Sequence, residues 1–240
     1  MNIILLAAGK DEKSHNDYPK FLTEIFSKTL LEHQLDFLLK LKNPNINLIV
    51  NQYDCHKFHL KEIVKKINES INVIEIRDQT KGALFSSLMC VDNLIFKDEL
   101  LIMNCNEYVD LNFNNFIESC RDNNSDAQIV SFKSIHPRYS YLKEDKNGMI
   151  EEIYFNKPPS KDACTGLVWI KNTNNFFLNS EKLVLKKSNY PGAIYFNDIL
   201  NEFILSGSIV KPYKIKSDHY FPLKSDEHLS NLQLNFKEKL

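Results

Sequence analysis

The chain has 240 residues, 43% of them hydrophobic and 25% charged, a length and balance that suit one folded domain with a full core. A formal net charge of −1 and a pI near 6.7 give no overall field that would gather nucleic acid or an anionic membrane surface, so neither is expected as a partner and any anion site must be local. The five cysteines are odd in number and lack metal-site spacing, so they read as reduced thiols, and the short apolar start fits neither a signal peptide nor a membrane span, which points to the cytoplasm.

Residues 2–7, NIILLA, form a continuous apolar run that predicts a buried parallel strand leading into Gly9. A polar loop then runs to Pro19, and Leu30, Leu31, Leu35, Leu38, Leu39 and Leu41 recur at helical spacing. Residues 46–50 predict a second strand, 56–70 a helix and 71–76 a third strand. A helical pattern over 82–96 precedes a short buried strand at 100–103. Alternating β and α units imply a parallel sheet with its ligand beyond the carboxyl ends of the strands. Ala8-Gly9, Arg77-Asp78-Gln79 and Asn104 to Asp110 would then share one rim.

The second half changes character. AQIVSF at 127–132, SYLKED at 140–145, MIEEIYF at 149–155 and TGLVWI at 165–170 read as strands, with Asn147-Gly148 as a hairpin signal. Residues 197–207 carry helical periodicity ending at Gly207, and 209–215 read as a late strand confined to an edge by Pro212. The abundant asparagine and lysine suggest AT-rich coding and receive no chemical role here.

Chemistry concentrates first in LLAAGKDEKSHNDYPKFL, where small residues after a buried strand let a ligand approach backbone amides and Lys20 supplies a cation. The strand, the Ala-Ala-Gly and the later Pro-Lys-x-Leu resemble the signature of the sugar-phosphate nucleotidylyltransferase (NTP-transferase) family. QTKGALFSSLM resembles that family's second nucleotide-contacting stretch. LLIMNCNEYVDLN and the segment from His136 to Lys171 resemble a branch with N-S-D-Q-Y-V-D and P-[KR]-[WY]-S-Y motifs. These similarities run from Met1 to about Leu229.

The resemblance implies an α/β fold: a single Rossmann-like (GT-A-like) nucleotidyltransferase domain over 1–240. Its central sheet would be mostly parallel and flanked by helices, with a nucleotide-binding lobe at 1–125 and an added mixed-sheet acceptor lobe at 126–240. It also implies a reaction in which a sugar-phosphate oxygen attacks the α-phosphorus of a nucleoside triphosphate, Mg²⁺ screens the charge and pyrophosphate leaves, as in surface-polysaccharide precursor synthesis. On that reading Leu6, Ala7, Ala8, Gly9 and Asn104 lie along the nucleotide, Gln79 and Gly82 recognise the base, and Lys20 stabilises the reacting phosphate. Lys157 would hold the sugar's phosphate, Gly166 would admit the sugar ring and Thr165 would offer a hydroxyl. Tyr141 and Trp169 are candidate stacking platforms, while core packing suits the other aromatics. Monomer and homo-oligomer both stay open.

Two departures stand out. Where the family reads Gly-x-Gly-x-Arg, Gly9 is followed by Lys10, Asp11, Glu12 and Lys13, whose acids would repel β- and γ-phosphates. The family's metal aspartate aligns with Asn106, a poorer Mg²⁺ ligand, with Asp110 as a nearby substitute and Asp218 as a late one. Strand alternation would point Glu107 away from residue 106. These losses make a catalytically impaired nucleotide-binding, sugar-binding or partner protein the alternative to an enzyme. Glycosyl transfer ranks third, because Asn104-Cys105-Asn106 lacks the carboxylates of an Asp-x-Asp motif. His56 and His59, three apart, lack a third metal ligand and read as a solvated face. No arrangement suggests covalent catalysis.

Overall fold

The computed structural model describes residues 1–9, 18–77, 80–155, 160–223 and 226–238. The first apolar run forms β1 (Asn2–Ala7), buried throughout. Ile3, Leu5 and Ala7 enter one hydrophobic layer and Ile4 and Leu6 the other, as expected for a strand covered on both faces. The short β2 (Glu24–Ile25) and β3 (Lys28–Thr29) form a hairpin. Thr29 then caps α1 (Leu30–Leu38) through a reciprocal Thr29/Glu32 capping box, which satisfies two otherwise orphaned amides.

The chain continues through β4 (Asn45–Asn51), α2 (Gln52–Lys57), α3 (Leu60–Ile67), β5 (Asn72–Ile76), α4 (Ala83–Leu88) and β6 (Leu100–Asn104). After β7 (Tyr108–Val109) and α5 (Phe113–Asp122) come β8 (Ala127–Lys133), β9 (Ser140–Glu144), β10 (Ile150–Phe155) and β11 (Asp162–Ile170). The order ends with α6 (Thr173–Lys186), α7 (Phe196–Leu205), β12 (Val210–Lys214), β13 (Tyr220–Phe221) and α8 (Asp226–Glu238).

Among the described residues, nine strands join in one sheet. Its parallel part runs β5-β4-β1-β6. β11 then adds antiparallel to β6, so the sheet continues directly from the first half of the chain into the second. β8 and β9 both pair antiparallel with β11, β10 pairs with β9, and β12 pairs parallel with β8. This is the mixed α/β architecture expected from the sequence, helices covering a largely parallel centre.

Local expectations fare unevenly. The Asn147-Gly148 turn joins β9 to β10, with Gly148 at φ 75° and Asp145 Oδ1 accepting from the Asn147 and Met149 amides at 2.8 Å each. Pro212 does sit in β12, whose pairing among the described residues is with β8 alone. The helix expected over 56–70 is broken, because His59 adopts a left-handed conformation (φ 51°) as N-cap of α3. His56 and His59 therefore share no helix face, and His56 Nε2 instead lies 3.1 Å from Glu75. The helix expected over 82–96 ends at Leu88, followed by a 3-10 turn at Val91–Asn93. No helix among the described residues is long and apolar enough to cross a membrane.

Candidate functional site

Loops at the carboxyl ends of β1, β5 and β6 meet the second-half strands around a cleft of about 450 Å³. Leu6, Ala8 and Gly9 enter from β1, Thr80, Gly82 and Ser86 from the segment after β5, and Asn104, Asn106 and Glu107 from the end of β6. Arg138, Tyr139, Ser140 and the bulged middle of β11 face them. The three-loop rim expected from the sequence is thus present, although Arg77 lies outside the lining and Asp78 and Gln79 fall outside the described residues.

The floor is held from below. Gln34, 2% exposed on α1, donates from Nε2 to the Glu107 carbonyl at 2.8 Å and to the Asn104 carbonyl at 3.3 Å. The Cys105 amide donates to the Leu6 carbonyl at 2.8 Å. β6 ends at Asn104 and the chain turns at 105–106, so strand alternation stops there and Asn106 and Glu107 both reach the cleft. The expectation that Glu107 points away is corrected for that reason.

Glu107 is the organising group. Its Oε1 accepts the Gly166 amide at 2.7 Å and Asn104 Nδ2 at 3.5 Å, and its Oε2 accepts the Tyr220 hydroxyl at 2.7 Å. Burial, and then the Glu107 charge, push the Tyr220 phenol far above its ordinary range, which keeps it a donor. Between Cys164 and Val168 the register of β11 against β8 shifts, and this bulge frees the Gly166 amide to reach across. A side chain on Gly166 would collide with Asn104 and Glu107. Gly166 lines the cleft, and the absence of a side chain there lets these two side chains come close. Thr165 lines the cleft, but its hydroxyl donates to the Val130 carbonyl and accepts from the Leu167 amide, both at 3.1 Å, so it is committed inside the bulge.

A side wall comes from residues 193–197. Ile194 N donates to the Lys81 carbonyl at 2.8 Å, and Leu84 N donates to the Ile194 carbonyl at 3.3 Å. Thr80 Oγ1 donates to the Gly82 carbonyl at 3.1 Å and sits 2.7 Å from Ser86 Oγ. Gly82 (φ 107°) lies directly against the Ile194 backbone.

Tyr141 and Trp169 are not stacking platforms. Both are buried (0% and 1% exposed), because their strands carry them into the core, where the Tyr141 hydroxyl donates to the His136 carbonyl at 2.8 Å. The rings that reach the cleft include Tyr139, Phe155 and Tyr195. The last two stack 5.7 Å apart at 11° although they come from β10 and the segment before α7, a pairing for which the sequence carries no signal. Arg138 is likewise a cleft residue that reading by motif passed over. Its place within Pro-Arg-Tyr-Ser-Tyr, in a chain with only three arginines, was the available clue.

Of the remaining expected residues, Ala7 faces the core rather than the cleft, as alternation along β1 requires. Lys20 begins a 3-10 turn (Lys20–Leu22) outside the cleft lining, and Lys157 and residues 10–17 fall outside the described residues. Asp110 and the exposed Asp218 do not line the cleft. Among the described residues no group of three or more His, Cys, Asp or Glu side chains is placed to hold a metal ion. With a neutral amide at Asn106 and the Glu107 carboxylate already hydrogen-bonded, the described donors do not suit Mg²⁺. Cys164 also lines the cleft, but burial pushes its thiol well above the ordinary range, so it offers no thiolate nucleophile.

These features define an α/β protein with a cleft at the carboxyl ends of its parallel strands, where sheets of this kind place their ligands. The nucleotidyl transferase family model matches residues 4–214, and the chain belongs to that family. It is 25% identical over its whole length to the bifunctional protein GlmU of Buchnera aphidicola, covering 50% of that protein. It is 27% identical over 84% of its length to a bifunctional sugar-1-phosphate nucleotidylyltransferase/acetyltransferase of Sulfurisphaera tokodaii, covering 47% of it. The chain thus spans about half the length of the curated relatives it matches. The solved nucleoside-diphosphate-sugar pyrophosphorylase from Vibrio cholerae superposes with a TM-score of 0.75 at 15% identity, covering 98% of this chain and all of that one, a likeness of fold.

Proposed function

We propose that the chain joins a nucleoside triphosphate to a sugar phosphate or similar phosphorylated acceptor and releases pyrophosphate. One observation carries the reading: both halves of the chain line a single cleft, with Ala8, Gly9 and Gly82 on one side and Arg138, Tyr139 and the β11 bulge on the other. An acceptor phosphate oxygen attacks the α-phosphorus, a new P–O bond forms, and the bond to the bridging oxygen of the departing pyrophosphate breaks. The protein's part in such a transfer is to align two polyanions and offset their charge. In this reading the 1–125 lobe takes the nucleotide along Leu6, Ala8, Gly9 and Asn104, with Gln79 and Gly82 flanking the base. Lys20 meets the reacting phosphate, and Lys157 acts in the acceptor lobe, 126–240. A place in surface-polysaccharide precursor synthesis is part of the proposal and rests on the family resemblance.

A second reading, ligand binding without turnover, is favoured by Asn106, which stands where the resemblance puts a metal aspartate. Calorimetric titration with each nucleoside triphosphate, with and without Mg²⁺, tests both. One triphosphate is expected to bind the native protein. Asn106→Asp is expected to strengthen binding in Mg²⁺ by about tenfold, as a carboxylate replaces an amide near the phosphates. Failure of every triphosphate to bind would contradict the transfer reading and confine the second to binding of a sugar or a partner. Tight binding with no product in a transfer assay would favour the second.

A further inference from the structure

Helix α1 turns Leu30, Leu31, Leu35 and Leu38 into the core, and the remaining buried residue of the same helix is Gln34. Its Nε2 spans the ends of the 104–107 turn, donating to the Glu107 carbonyl at 2.8 Å and to the Asn104 carbonyl at 3.3 Å. Turning the amide over would set its oxygen against both carbonyls, so one orientation is fixed. In that orientation Oε1 is buried and meets no hydrogen-bond partner among the described residues. A buried oxygen left unpaired costs stability, whereas another leucine at this position would add apolar burial. Departures of this kind from core packing gather at functional sites.

We infer that Gln34 is a positioning residue for the transfer step: lining no part of the cleft itself, it holds the 104–107 turn so that Asn106 and Glu107 stay on the cleft side. This rests on the transfer reading above for its effect on rate, though not for its effect on the turn. Backbone bonding anchors the start of the turn, where the Cys105 amide donates to the Leu6 carbonyl at 2.8 Å. Gln34 adds the anchor at its far end. Glu107 in turn accepts from the Gly166 amide and the Tyr220 hydroxyl at 2.7 Å each, so a shift of its backbone reaches the β11 bulge across the cleft. A misplacement of about 1 Å costs a reaction step about a hundredfold, and a residue behind the cleft floor can govern the rate for that reason.

The test compares the native chain with Gln34→Leu, Gln34→Glu and Leu38→Ala, the last a loss from the same buried helix face that leaves the bonds to the turn intact. Two readouts are taken: pyrophosphate release in Mg²⁺ with the nucleoside triphosphates and a panel of sugar phosphates, and amide exchange without ligand. Gln34→Leu should lower kcat at least about tenfold and move the KM for triphosphate less than about threefold. Leu38→Ala should lower the unfolding temperature and keep the native kcat. In Gln34→Glu, burial beside two carbonyls raises the new carboxyl's pKa, and only its protonated form has an O–H to donate. Its kcat relative to native should therefore rise as pH falls from about 8 to about 6. Amide exchange at Cys105 and Gly166, measured against exchange in β1, should quicken at least about tenfold in Gln34→Leu and stay level in Leu38→Ala. A kcat within about twofold of native in Gln34→Leu, an equal fall in Leu38→Ala, a Gln34→Glu ratio that is flat or rises with pH, or unchanged exchange in Gln34→Leu would each overturn the assignment. If exchange quickens while the native chain releases no pyrophosphate with any pair, the hold on the turn stands and the transfer reading falls.

Discussion

Replacing Glu107 with alanine is expected to lower the unfolding free energy by about 4 kcal/mol, while Glu107→Gln costs about 1 kcal/mol. The alanine leaves the Gly166 amide and the buried Tyr220 hydroxyl without the acceptor each now meets at 2.7 Å, and a buried donor left unpaired carries its full desolvation cost. Glutamine keeps a carbonyl for Gly166 and turns its amide toward the Tyr220 oxygen, which can accept. Urea unfolding of the three proteins checks the order. Equal losses in both variants would show that the clasp between β11 and β13 is not what Glu107 provides. Against a usual total stability of about 5–15 kcal/mol, the alanine variant should lose between about a quarter and four fifths of it.

Gly82→Ala is the second large effect. Gly82 sits at φ 107°, ψ 177°, a region essentially closed to side chains, and a Cβ there would stand 2.5 Å from the Ile194 carbonyl oxygen and 2.8 Å from its nitrogen. Both obstacles are backbone, so the 193–197 wall must move. A loss of about 3 kcal/mol is expected, together with weakened ligand binding as the cleft opens. Gly148→Ala is the control: its φ is also positive, at 75°, but a Cβ there meets nothing within 4 Å, so about 1 kcal/mol is expected. Matching losses at the two positions, measured by thermal unfolding, would contradict the wall's dependence on Gly82.

These residues mark the limit of what sequence alone discloses. The apolar runs of β1, β4 and β6 are legible because a strand buried on both faces leaves an uninterrupted hydrophobic signature, and the rim follows from parallel topology. Glu107 was misjudged because alternation holds only while the strand lasts, and β6 stops at Asn104. Tyr141 was misjudged because an aromatic in an alternating strand can face core or pocket, and packing from the other layer decides which. The stack of Phe155 on Tyr195 joins residues forty positions apart that no local pattern links.

Asparagine, given no role from composition, turns out to work at the end of the sheet away from the cleft. Asn2, fully buried, donates to the Ile95 carbonyl at 2.7 Å and to Thr173 Oγ1 at 2.9 Å. Asn45 donates to Asn2 at 2.9 Å, and Asn72 to Asn47 at 3.1 Å. Asn51, Asn112 and Asn172 cap α2, α5 and α6, a use favoured because the short amide accepts from the first free amides of a helix.

With an asparagine where the resemblance places an aspartate, the cleft is proposed still to transfer a nucleotidyl group. Pyrophosphate release tests it most directly, measured with the native chain, Mg²⁺, each nucleoside triphosphate and a panel of sugar phosphates. Release that requires both substrates, and that stops when either is omitted, is the expected result. No release above background across the full panel, from protein shown by titration to bind a triphosphate, would contradict it.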